Sequence, residues 1–155
     1  MKKVFIGVGI TIVVLVALLG AASSFMLKFA LSPLNEGKNL ESSWEYMFNN
    51  YPELKTWKDS LQQANALKDT FIYVTDQNRL HAFYVEAPQP TSKTAVIIHG
   101  YTDNAIRMMM IGYMYNRSLG YNILLPDLRY SGESEGSYLQ MGWLDRKDVI
   151  HWMNV

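Results

Sequence analysis

The chain has 155 residues, formal net charge +0 and only 18% charged side chains, a balance that lacks the basic footprint a nucleic-acid partner requires. It contains no cysteine, which removes disulfides, thiol catalysis and cysteine-zinc centres together. An extracytoplasmic location stays open, because a domain with a real core does not need disulfides.

Residues 1–30 stand apart. Val4 to Leu27 carries no charge, and as a helix it extends about 36 Å, enough to cross a bilayer core with some tilt. Lys2 and Lys3 precede it and place the N-terminus in the cytoplasm and the remainder outside. A cleaved signal peptide, leading to a secreted form, competes with this reading, since Gly20, Ala21, Ala22 and Ser23 offer a small-residue cleavage site. Apolar residues continue through Phe25, Met26 and Leu27, which favours a retained transmembrane signal-anchor. Lys28 to Gly37 reads as a connector broken at Pro33 and Gly37.

Residues 31–69 form a helical lead. Trp44, Met47, Phe48 and Tyr51 recur at i, i+3, i+4 and i+7 after the candidate caps Ser42 and Ser43. Pro52 ends that helix or opens the next, and Leu54, Trp57 and Leu61 carry an apolar stripe onward. An aromatic stripe at helical spacing is expected to pack on a sheet rather than to bind substrate.

Residues 70–155 have the pattern of an α/β fold. Phe71 to Val74 and Leu80 to Val85 are strand-like, and Asp76-Gln77-Asn78-Arg79 is a polar turn that makes them an antiparallel hairpin. Ala87-Pro88-Gln89-Pro90 then breaks the chain. Ala95 to Ile98 is a β-branched apolar run, expected to be a strand buried on both faces and to stop at His99-Gly100. Ile106, Met109, Met110 and Tyr113 follow at helical spacing, with Asp103 or Asn104 as N-cap and Gly120 as the stop. Tyr121 to Leu125 is a second buried run, so Thr94 to Leu125 should be a parallel β-α-β unit. A last helix is expected from about Asp145, with Val149, Ile150 and Met153 as its apolar face.

After the second strand comes Asp127-Leu128-Arg129-Tyr130-Ser131-Gly132-Glu133-Ser134-Glu135-Gly136. Together with His99-Gly100-Tyr101, this loop resembles the N-terminal half of serine α/β-hydrolases, in particular bacterial membrane-anchored hydrolases related to the serine aminopeptidase and acylaminoacyl-peptidase-like groups. In those families a strand ending in His-Gly-x is followed, one helix and one strand later, by Asp-x-Arg-x-x-Gly-x-Ser-x-Gly. The resemblance runs from about Trp44 to Val155. It implies hydrolysis of an ester or amide bond, in a small-molecule or peptide substrate, by an activated serine through an acyl-enzyme. It also implies that the backbone N–H of Tyr101 is one half of the oxyanion hole, where a fixed dipole meets the charge of the tetrahedral intermediate.

The same resemblance makes Asp127 and Arg129 an ion pair that orders the loop. His99 is expected to be a hydrogen-bonded structural residue, because the catalytic histidine of this fold comes last in chain order. His81 and His151 read as ordinary, and His81, His99 and Asp127 have no metal-ligand spacing. Gly132-Glu133-Ser134-Glu135-Gly136 matches G-x-S-x-G letter for letter, yet Pro126 has ended the strand before it and no helix starts after Ser134, so Ser134 is expected to be a turn residue and not the nucleophile. The remaining triad members have no counterpart, and the sequence reads as the front portion of a longer protein. No cofactor is implied: the single G-x-G, Gly7 to Gly9, lies in the apolar segment. Two rival readings are a non-catalytic hydrolase-like binding module held at the membrane and a small anchored interaction protein.

Overall fold

The computed structural model describes residues 2–32 and 36–155. It divides the chain into two compact units, Met1–Pro33 and Leu34–Val155. The first unit is a single helix, α1 (Lys2–Leu31). Its segment Val4–Leu31 is long and apolar enough to cross a membrane. Lys28, expected in the connector, is still helical. The expected break at Pro33 lies outside the described residues, and Gly37 sits in a short 3-10 turn, Glu36–Lys38.

The second unit is a mixed α/β fold. Helices α2 (Leu40–Asn50) and α3 (Glu53–Gln63) are followed by the hairpin β1 (Leu67–Tyr73) and β2 (Arg79–Val85). Then come β3 (Thr94–Val96), α4 (Met109–Leu119), β4 (Asn122–Pro126) and α5 (Asp145–Trp152). The four strands lie in the order β1-β2-β4-β3. The β1-β2 and β2-β4 pairs are antiparallel, and β3-β4 is parallel. The hairpin and the parallel β-α-β unit are therefore as expected.

β2 and β4 differ from expectation by a residue at an end, and β1 and β3 differ more. β1 starts at Leu67, earlier than its apolar run, because Leu67-Lys68-Asp69-Thr70 pairs with β2 from Val85 to Ala82. β3 covers only Thr94–Val96, extended by one further bond in which Ile97 N–H donates to the Leu124 carbonyl (2.9 Å). It is not buried on both faces: it forms the sheet edge, Ala95 to Ile97 are half-buried and Ile98 is 40% exposed. The doubly buried strand is β4, where Ile123 and Leu125 are fully buried.

Alternation along the strands sets the two faces. Phe83, Val85, Ile123 and Leu125 meet Met47 of α2, Leu54, Trp57 and Leu61 of α3, and Met109 of α4 in the larger core. Each such aliphatic or aromatic side chain contributes roughly 1.5–3 kcal/mol on burial, so the helical lead stabilises the sheet, as its stripe predicts. Leu80, Ala82 and Leu124 face the other way and are covered by Trp152 of α5.

The caps also differ in detail. Asn39, not Ser42 or Ser43, caps α2 by accepting from Ser42 N–H. Asn104 is the cap after β3 and accepts from Arg107 N–H, but it opens a 3-10 turn, Ala105–Met108, that runs into α4. Gly120 ends α4 in the left-handed region at φ 67°, where glycine pays no Cβ penalty. On α5 the expected apolar face is not the packed one, and of its residues only Val149 is half-buried. Ile150 and Met153 are exposed, while Asp145, Asp148 and Trp152, at i, i+3 and i+7, face the protein because Arg129 supplies a buried charge for that face to meet.

Candidate active site

The carboxyl ends of β3 and β4 lie side by side, and the loops leaving them, His99-Gly100-Tyr101 and Leu128-Arg129, border a pocket of about 290 Å³ whose far wall is Leu139 to Gly142 and Asp145. His99 joins the two loops. It is buried; its Nδ1 lies 2.8 Å from the Gly100 carbonyl, and its Nε2 lies 2.9 Å from Leu128 N–H. An amide N–H can only donate, so Nε2 accepts and the ring proton sits on Nδ1. His99 is thus the structural residue expected of it, with both nitrogens engaged. The Asn104 amide fixes the same loop from behind, donating from Nδ2 to the Gly37 carbonyl (3.3 Å) and to Ser43 Oγ (2.8 Å). Tyr101 stands at the pocket with its side chain 54% exposed.

Beneath the loop after β4 is a closed polar cluster around Asp127, which is 2% exposed. Its Oδ1 accepts from Ala105 N–H (2.7 Å), and its Oδ2 accepts from Glu133 N–H (3.1 Å) and from His81 Nδ1 (2.6 Å). Gly132 makes this possible: its φ is 49°, and a Cβ there would collide with the Asp127 carboxylate. Ser134 is fully buried, donates from Oγ to the Asp127 carbonyl (2.7 Å) and accepts from His81 N–H (2.9 Å). Ser134, His81 and Asp127 thus meet in space without forming a triad, since the serine hydroxyl bonds to backbone and never to the imidazole. The expectation that Ser134 is a turn residue holds.

His81 departs from the ordinary role expected of it. Its side chain is 1% exposed, and its ring bonds Asp127 through Nδ1 and approaches Asp69 Oδ1 at 3.3 Å through Nε2. Burial alone would discourage protonation, but the hydrogen bond and charge of Asp127, with Asp69 and Glu133 behind them, outweigh it and raise the imidazole pKa.

The expected Asp127–Arg129 pair does not form. Asp127 is taken by His81, and Arg129 turns to α5, where Nε and Nη2 grip Asp148 at 2.6 and 3.0 Å, and to the hairpin turn, where Nη1 bonds Asp76. The bond to Asp148 chiefly holds the guanidinium pKa above its usual value, and Arg129 in turn holds the Asp76 carboxyl low. This fork ties the β4 loop to β1-β2 and to α5. Sequence reasoning missed it, although the i, i+3 spacing of Asp145 and Asp148 opposite an apolar stripe was a usable signal.

Asp145 is the exception to this saturation. It is 6% exposed; Oδ2 accepts from Gly142 N–H (2.8 Å), while Oδ1 has no partner among the described residues. Burial raises its pKa, with Asp148 adding to that and the Gly142 bond, His99 and Arg129 opposing it.

No family model matches the chain. It is 23% identical over 151 residues to the uncharacterized protein YqkD of Bacillus subtilis (strain 168), with 96% of this chain but only 45% of that protein covered. The chain therefore spans less than half the length of this relative. Solved structures to which it is similar include the Pyrococcus furiosus esterase Pf2001, at 26% identity and TM-score 0.48 over 57% of this chain and 34% of that one. An α/β hydrolase from Novosphingobium aromaticivorans DSM 12444 is similar at 20% identity and TM-score 0.45 over 58% of this chain and 33% of that one.

Proposed function

We propose that the chain belongs to a serine α/β-hydrolase that cleaves an ester or amide bond, in a small-molecule or peptide substrate, through an acyl-enzyme. The observation that supports this most is the pocket of about 290 Å³ between His99-Gly100-Tyr101 and the β4 loop, at the carboxyl ends of adjacent parallel strands, where open α/β sheets receive their ligands. In this reading Tyr101 N–H supplies half of the oxyanion hole, a donor worth roughly 3–4 kcal/mol of barrier. His99, Asn104 and the Arg129 fork act as positioning residues that hold the two loops rigid. In this reading Ser134, His81 and Asp127 are not the nucleophile, catalytic histidine and acid, because the Ser134 hydroxyl is bonded to backbone.

The test is labelling of the full-length protein by a fluorophosphonate probe, with p-nitrophenyl acetate turnover as the parallel assay. The proposal expects stoichiometric labelling that abolishes turnover; a folded full-length protein that neither labels nor turns over the ester is a non-catalytic binding module instead. We further propose that α1 is a retained anchor with the second unit outside the cytoplasm, on the strength of the charge-free stretch from Val4 to Leu27 behind Lys2 and Lys3. Protease added to intact spheroplasts should then remove an epitope placed after Val155. Full protection, or release of a shortened soluble form, contradicts this topology.

A further inference from the structure

On the face of the sheet opposite Trp152, the β1-β2 hairpin and the β4 loop bring three ligand-type side chains together outside the pocket described above. The ligand atoms of Asp69, His81 and Glu133 all lie within 4.8 Å of one another. We propose that these three residues form a binding site for a divalent cation of the zinc class.

The imidazole comes first. A metal-binding histidine commonly donates its other ring N–H to a carboxylate, which fixes the tautomer and makes the ligating nitrogen more basic. Asp127 does this for His81 at Nδ1, from a fully buried position that two backbone N–H groups hold in place. Nε2 is thereby left to face Asp69 Oδ1 at 3.3 Å, with the ring itself buried. Two ligands about 2.0 Å from a tetrahedral ion stand about 3.3 Å apart, so this separation already suits a shared metal.

Charge points the same way. Among the described residues, Asp69 has His81 as its ionic partner, and Glu133 is paired with no lysine or arginine. With Asp127, three carboxylates therefore surround one imidazole. A dication would take the place of the Nε2 proton that otherwise bonds Asp69, releasing that proton to solvent. One imidazole with two carboxylates is a borderline donor set that suits zinc better than magnesium or calcium, which favour oxygen alone. Asp69 and Glu133 are both exposed above the buried imidazole, so an ion held there would keep water in its remaining positions. The site would clamp the hairpin to the β4 loop independently of any hydrolytic activity.

Isothermal titration of tag-free full chain in detergent micelles with zinc chloride tests the proposal. It predicts one zinc per chain, with affinity reduced at least tenfold in Asp69→Asn and in Glu133→Gln. Glu86→Gln, which alters a surface carboxylate paired with Lys68, should leave the affinity unchanged. Nitrogen-15 histidine spectra of the wild-type chain give a second readout that needs no variant, since zinc should shift His81 Nε2 and leave His99 and His151 in place. Absence of binding, equal affinity in Asp69→Asn and Glu133→Gln, equal weakening in Glu86→Gln, or shifts at His99 or His151 instead of His81 would each overturn it.

Discussion

Asp127 and Asp145 are the same residue type, both buried, and they sit on opposite sides of the β4 loop in opposite conditions. Asp127 accepts from two backbone N–H groups and an imidazole, so both its oxygens are used. Asp145 accepts from one backbone N–H and leaves an oxygen without a partner among the described residues. A buried charge with its full set of donors organises the loops around it, whereas a buried charge without them is held against its own solvation. The contrast separates the closed polar cluster, whose hydroxyl and carboxylate are already committed, from the pocket beside Tyr101, where a polar atom is not.

The largest effect should come from breaking that contrast at its saturated end. Asp127→Ala would strand the N–H groups of Ala105 and Glu133 and remove the partner of His81, at a cost of about 3–5 kcal/mol. Asp145→Asn keeps an acceptor for Gly142 N–H and removes only the charge, so at pH 7 stability should be unchanged or slightly raised. All four tryptophans lie in the second unit, so urea unfolding of the full chain followed by tryptophan fluorescence reads both variants directly. Similar losses in the two would erase the distinction.

A smaller effect sharpens the comparison by pH. The Asp145 carboxyl is raised in the folded state above its usual value of 3.8, so its favourable contribution is fully present below about pH 3.8 and is lost as pH rises through the folded value. Around it, Asp148 disfavours the charge, and Arg129, His99 and the Gly142 N–H favour it. Relative to wild type, Asp145→Asn should therefore gain stability as pH rises above about 4 and level off once Asp145 is ionised. A difference that is flat, or that runs the other way, would mean that Asp145 has a partner in the folded protein.

Much of the fold was legible because it rests on local signals. The hairpin turn at Asp76 to Arg79, the β-branched run at Ala95 to Ile98, the glycine stop at Gly120 and the stripe Leu54-Trp57-Leu61 each announce one element through backbone preference or periodicity. The fate of Ser134 was legible too, because an elbow serine needs a strand directly before it and a helix directly after it. What stayed hidden depends on pairing between distant segments. Nothing in the polar run Leu67-Lys68-Asp69-Thr70 says strand until β2 lies beside it, and the edge position of β3 follows from sheet order, not from its own residues. The partners of Asp127 and Arg129 were misassigned for the same reason. The resemblance suggested that they pair, but the loop leaving β4 turns Asp127 toward His81 and Arg129 toward Asp148 and Asp76.

The most direct measurement is fluorophosphonate labelling of full-length wild type and Ser134→Ala, compared at equal folded concentration. With Ser134 fully buried and its hydroxyl bonded to the Asp127 carbonyl and to His81 N–H, equal labelling is expected, accompanied by a stability loss of about 1–3 kcal/mol from the broken bonds. Complete loss of labelling in a folded Ser134→Ala protein would contradict it, and would make the cluster of Ser134, His81 and Asp127 the catalytic centre instead of its scaffold.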